Sequence, residues 1–174
     1  MSESNRKFVF GKLEIRRFTN SDYLYLLAFT IAVCYYLYSI TYNPEKKFII
    51  SFFISWFIGF QTVSSPFGLR FRNIYFSLIW LFISSIFLIK NNWFGFIPIS
   101  TFILYHIIRF VFWKKYNREF IPYQTGRGTM FRHKSFFEGR SGNLVDKKFT
   151  KILLLSGIMI ILFCIILMIG VKTY

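Results

Sequence analysis

The twenty residues from Ile152 to Val171 carry no charged side chain, and as a helix they span about 30 Å, the thickness of a bilayer's hydrocarbon core. That run dictates the solvent in which the chain folds. Four more apolar runs precede it: Tyr23–Tyr42, Phe48 to about Val63, Ile74–Ile89, and Trp93 to about Trp113. The pattern predicts an all-α integral membrane protein, a polytopic helical bundle of about five transmembrane helices with one basic cytoplasmic loop. Composition agrees, since 55% hydrophobic against 17% charged residues is wrong for a soluble core. Phe contributes 25 residues and Tyr 11, a bias that an AT-rich coding sequence explains without any aromatic cofactor box.

Local punctuation separates the runs. Thr19, Asn20, Ser21 and Asp22 offer oxygen acceptors for the orphan amides of a helix start, so the first span is expected to begin near Asp22. Asn43-Pro44, then Ser64-Ser65-Pro66 with Gly68, then Lys90-Asn91-Asn92 close the first three runs. Gly95 and Pro98 fall in the first turns of the fourth, where proline costs little. The second and third runs, at about 16 residues, are short for a full crossing and also allow a tilted or re-entrant pair. Ser51, Ser55 and Gly59 recur every four residues, which places three small side chains on one helix face and predicts close helix packing there.

Residues 1–22 interleave Phe8, Phe10, Leu13, Ile15 and Phe18 with charged residues, which reads as a short hairpin around Gly11 or as an interfacial segment. No cleavable signal pattern is present in it, so the first span is expected to be retained. The expected organisation is a cytoplasmic segment over 1–22, four transmembrane helices over 23–113, a basic cytoplasmic loop over 114–151, a fifth transmembrane helix over 152–171 and a non-cytoplasmic tail over 172–174. Orientation follows from basic residues flanking the spans. The N-terminal segment (five), the connection holding Arg70 and Arg72, and the 114–151 loop (ten) total seventeen; Lys46, Lys47, Lys90 and Lys172 make four on the other side. The positive-inside rule then assigns the first group to the cytoplasm, with a bacterial inner membrane as the expected location. The net charge of +15 is thereby explained by topology, and no nucleic-acid partner is expected.

The 114–151 loop is also where polar residues are densest. Thr125-Gly126-Arg127-Gly128-Thr129, Arg132-His133-Lys134 and Glu138-Gly139-Arg140-Ser141-Gly142-Asn143 combine pliable glycines with guanidinium donors. Arg127, Arg132, His133 and Arg140 are candidate contacts for an anion or a partner protein. The plainer reading is a connector whose glycines make turns and whose cations set topology or touch anionic headgroups. No Walker-type lysine in a strand-then-helix context supports nucleotide binding.

His106 and Arg109, one turn apart in the fourth run, are intramembrane polar candidates, because an ionisable group at that depth is costly unless partnered. Arg109 is close enough to Lys114 to snorkel to the headgroups, and a neutral His106 bonded to a neighbouring hydroxyl is the bland alternative. None of the seven acids lies inside an apolar run, which weakens ion-coupled transport and metal-assisted hydrolysis within the membrane. Cys34 and Cys164 sit in separate apolar runs without ligand spacing, so no metal, cofactor or catalytic residue is expected.

The expectation is therefore a non-catalytic structural or accessory subunit of a larger inner-membrane complex, its cytoplasmic loop docking a partner protein. Its partners would be other membrane-complex subunits and membrane lipids, anionic ones included. The alternatives are a small enzyme or carrier that grips an anionic phospholipid through the Arg/Gly-rich loop, and, more weakly, a channel or transporter.

Overall fold

In a computed structural model the described residues are 7–9, 13–15, 17–42, 45–63, 70–90, 93–118, 120 and 144–172. Apart from one hairpin, their regular structure is helical. The hairpin pairs β1 (Lys7–Val9) antiparallel to β2 (Leu13–Ile15), with Phe8 opposite Glu14. β2 turns its charged residue inward, and Glu14 is buried between half-buried Leu13 and Ile15. That inversion of the usual pattern has a cause in the ion pair described below.

Helix α1 spans Asn20–Tyr42. A reciprocal cap holds its start: the Thr19 amide donates to Asp22 Oδ2 (2.9 Å) while the Asp22 amide donates to Thr19 Oγ1 (3.3 Å). Helix α2 (Lys47–Val63) returns, and a 3-10 turn over Arg70–Arg72 leads into α3 (Ile74–Ile86). The Asn73 side chain caps α3 by accepting from the Tyr75 amide at 3.1 Å. After 3-10 turns over Phe87–Lys90 and Trp93–Gly95, α4 runs from Phe96 to Tyr116 and stops at Asn117, whose positive φ of 48° ends the helix in the left-handed region. Helix α5 spans Leu144–Lys172.

Three helical stretches, Asn20–Tyr42, Trp93–Tyr116 and Leu144–Gly170, are long and apolar enough to cross a membrane; α2 and the Ile74–Ile89 stretch are apolar but shorter. This is the build of a helical membrane protein. Half of the apolar window of Trp93–Tyr116 is buried inside the bundle, against 22% for Leu144–Gly170, so α4 is central and α5 peripheral. Contacts between elements fix how deep the short helices reach. Arg70, seven residues past the end of α2, bonds to Asp22 in the first turn of α1, while α2 begins just after α1 ends. The Arg70–Arg72 turn therefore lies level with the first turn of α1. At the other end of α3, the Phe87 carbonyl accepts from the Tyr36 hydroxyl of α1 at 3.4 Å, fourteen residues or about 21 Å along α1 from Asp22.

The core is aromatic. Phe29 stacks on Trp80 with centroids 3.8 Å apart, and Phe71 meets Phe76, Trp80, Phe102 and Tyr105 at 5.1 to 5.8 Å. Each such pair adds about 0.5–1.5 kcal/mol beyond area burial, so rings take the place of aliphatic interdigitation here.

The polar stretch between the fourth and fifth apolar runs is less of a loop than its composition suggests. Helix α4 continues to Tyr116, and α5 begins eight residues before Ile152. The reason is packing and dipole together. Phe149, nine-tenths buried, packs edge-on against Phe112 at 5.0 Å, with Asp146 in the first turn of α5 and Lys114 and Lys115 in the last turn of α4, where each complements the macrodipole.

Candidate functional site

Chain direction puts the start of α1, the Arg70–Arg72 turn, the start of α3, the end of α4 and the start of α5 at one end of the bundle, and the buried charge is concentrated there. Arg70 Nη1 pairs with Asp22 Oδ1 at 2.6 Å and reaches Ser21 Oγ at 3.1 Å, with its guanidinium 4.1 Å over the Tyr25 ring. Asp22, fully buried, thus serves two structures at once, capping α1 and anchoring the 3-10 turn. Arg72 Nη2 pairs with Glu14 Oε1 at 2.6 Å, and Glu14 also forms a parallel bridge with Asn73, which straps the hairpin to the start of α3. Arg118 Nη1 pairs with Asp146 Oδ2 at 3.0 Å and lies 4.8 Å over the Phe112 ring, tying α4 to α5.

Three of the four acids whose side chains are described are therefore committed to ion pairs between different elements, the fourth being exposed Glu45 in the α1–α2 turn. In the Asp22–Arg70 and Glu14–Arg72 pairs both side chains are largely withdrawn from solvent, so removing one partner leaves the other desolvated, at a cost of about 3–5 kcal/mol.

The expected packing face of α2 is buried. Ser51, Ser55 and Gly59 all face the interior, and a Cβ at Gly59 would stand 2.5 Å from Ile97 Cγ2 and 3.4 Å from Thr101 Cγ2 of α4. The hydroxyls of Ser51 and Ser55, like those of Ser39 and Ser84, are buried with no partner among the described residues, so small volume rather than hydrogen bonding is what they contribute. Two further glycines do similar work. A side chain at Gly95 would collide with the Phe87 carbonyl, and one at Gly157 of α5 would stand 2.6 Å from Val63 Cγ1 of α2.

His106 is ringed by aromatic side chains, with Phe102 at 4.5 Å, Tyr105 at 5.6 Å and Phe71 at 5.9 Å between centroids. Its Nε2 is buried without a hydrogen-bond partner among the described residues. Arg109, a turn along the same helix, is buried at 4% exposure and engaged within the bundle, a different solution from the snorkelling its position allows. Arg127, Arg132, His133 and Arg140 lie outside the described residues.

Among the described residues no group of three or more His, Cys, Asp or Glu is placed to hold a metal ion. Cys34 is exposed on α1 and Cys164 buried on α5, both as free thiols. Reasoning from sequence missed the three arginine–carboxylate pairs. The signal that could have found them is the Thr-x-x-Asp start of α1 together with Arg70 and Arg72, which the charge bias had already assigned to the same side. No protein-family model, curated protein or solved structure matches this chain.

Proposed function

We propose that the chain is a non-catalytic subunit of a larger membrane assembly, crossing the bilayer five times with its lysine-rich end in the cytoplasm of a bacterial inner membrane. The observation that carries this reading is the use of the buried charge. Glu14, Asp22 and Asp146 are each consumed in pairing with an arginine of another element, so the polar interior at that end is architecture. Five crossings are supported by depth: α2 begins just after α1 ends while Arg70, beyond α2, lies level with Asp22, and α3 with its 3-10 extension reaches to Tyr36. The polar segment between α4 and α5 then becomes the natural docking element for a partner protein on the cytoplasmic side.

Affinity purification from the native membrane in mild detergent, followed by native gel and mass spectrometry, tests the reading. Co-purifying membrane proteins in fixed stoichiometry are expected. A protein that purifies alone, as monomer or homo-oligomer, overturns it.

A further inference from the structure

We propose that the lysine-rich end of the α4–α5 pair holds the headgroup of an anionic phospholipid, whose acyl chains lie against the exposed apolar faces of the same two helices. The proposal rests on the membrane reading above and names a ligand for one surface of it.

Lys114, Lys115, Arg118, Lys148 and Lys151 lie on the adjoining ends of α4 and α5, where the one described acid is Asp146, paired with Arg118. Lys114, Lys115, Lys148 and Lys151 are exposed, and none of them forms an ion pair among the described residues. The Arg118–Asp146 pair and the Phe112–Phe149 contact lie within about a turn of both lysine pairs, which keeps four like charges at one end of two packed helices. An anion relieves that repulsion.

The surface below selects the kind of anion. On α4, exposed Ile103, Ile107 and Phe110 form a stripe at helical spacing that leads to Lys114. On α5, Lys148 leads at the same spacing into exposed Ile152, Leu155 and Met159. Cations stacked directly above a lipid-facing apolar stripe fit a molecule that has a negative head and two hydrocarbon tails. A soluble phosphate would use only the upper half of that surface.

The test reconstitutes the full-length protein in vesicles of phosphatidylcholine with a minor share of phosphatidylglycerol. The protein is re-extracted in mild detergent, and the lipids it retains are compared with the bulk by mass spectrometry. Phosphatidylglycerol should be enriched on the wild-type protein and on a K114R/K115R/K148R/K151R variant. Enrichment should fall with added salt, and each Lys→Gln change should lower it by about fivefold, so that K114Q/K115Q/K148Q/K151Q retains none. Equal retention of both lipids by the wild type, undiminished enrichment in the Gln variant, or displacement of the lipid by inorganic phosphate would overturn the proposal. A protein that never enters the vesicles overturns the membrane reading itself, whereas one that enters without enrichment leaves that reading standing and removes this one. The salt titration is made on the wild type, so misfolding of the Gln variant leaves the test decisive.

Discussion

The two ends of the bundle are held by different physics. At the lysine-rich end, Asp22–Arg70, Glu14–Arg72 and Arg118–Asp146 clamp elements that lie far apart in sequence. Toward the other end, where α1 meets α2 and α3 meets α4, there is close approach instead: Ser39, Ser51, Ser55 and Ser84 are fully buried, and Gly95 lies against the Phe87 backbone. An apolar solvent supplies no hydrophobic force between helices, so along the membrane-embedded length of the bundle association depends on packing and so on small residues. At the boundary with water, charge pairing is affordable, and it gives a hairpin, a turn and three helix ends a fixed relation that apolar contacts alone would leave loose.

The contrast predicts where mutations hurt. The largest effect should come from Asp22→Ala, which strips both the α1 cap and the partner of buried Arg70; a loss of about 3–5 kcal/mol is expected in denaturant titration of the detergent-solubilised protein. Combining it with Arg70→Met should recover much of that loss. A double variant no better than Asp22→Ala would mean that the pair is not what holds this end.

Next in size are the steric positions. Gly59→Leu and Gly157→Leu press side chains onto Ile97 and Val63 and should each cost about 1–3 kcal/mol, whereas Gly170→Ala, with open space at its Cβ, should be neutral or stabilising by up to about 1 kcal/mol. Equal costs at Gly59 and Gly170 would contradict close packing of α2 on α4. Arg118→Ala should matter less, by under about 1 kcal/mol, because its side chain is 37% exposed and its pairing is screened by water and salt. The smallest effect is expected at His106→Phe. Its Nε2 has no partner among the described residues and its neighbours there are rings, so stability should change by less than about 1 kcal/mol and co-purifying proteins should be unaltered. Loss of those partners would instead reveal a functional imidazole.

Much of the fold was legible because membrane helices announce themselves locally. Uninterrupted hydropathy marked α1, α4 and α5, proline and asparagine marked the breaks, and a four-residue period marked the buried face of α2. What that face would meet was not legible, since any helix with small side chains opposite could have supplied the role of Ile97 and Thr101. The start of α5 at Leu144 was also hidden: Asp146, Lys147 and Lys148 read as loop until Phe149 is seen packed on Phe112. The ion pairs escaped for a further reason. Counting Arg70 and Arg72 as topological flanks assigns them a side, yet it says nothing of carboxylates 48 and 58 residues earlier in the chain. The candidate anion contacts Arg127, Arg132, His133 and Arg140 lie beyond the described residues, so their role rests on composition alone.

Sidedness is where the reading stands or falls. In a background with Cys34 and Cys164 replaced by serine, single cysteines at Glu45, between residues 63 and 70, and at Lys148 should be probed with a membrane-impermeant thiol reagent in intact cells and in inverted vesicles. Labelling of the Glu45 position from outside, with both other positions labelled only from the cytoplasmic face, is the result expected if α2 and α3 cross. If the 63–70 position is labelled from the same face as Glu45, α2 and α3 do not span, and the five-helix bundle with its single clamped end is wrong.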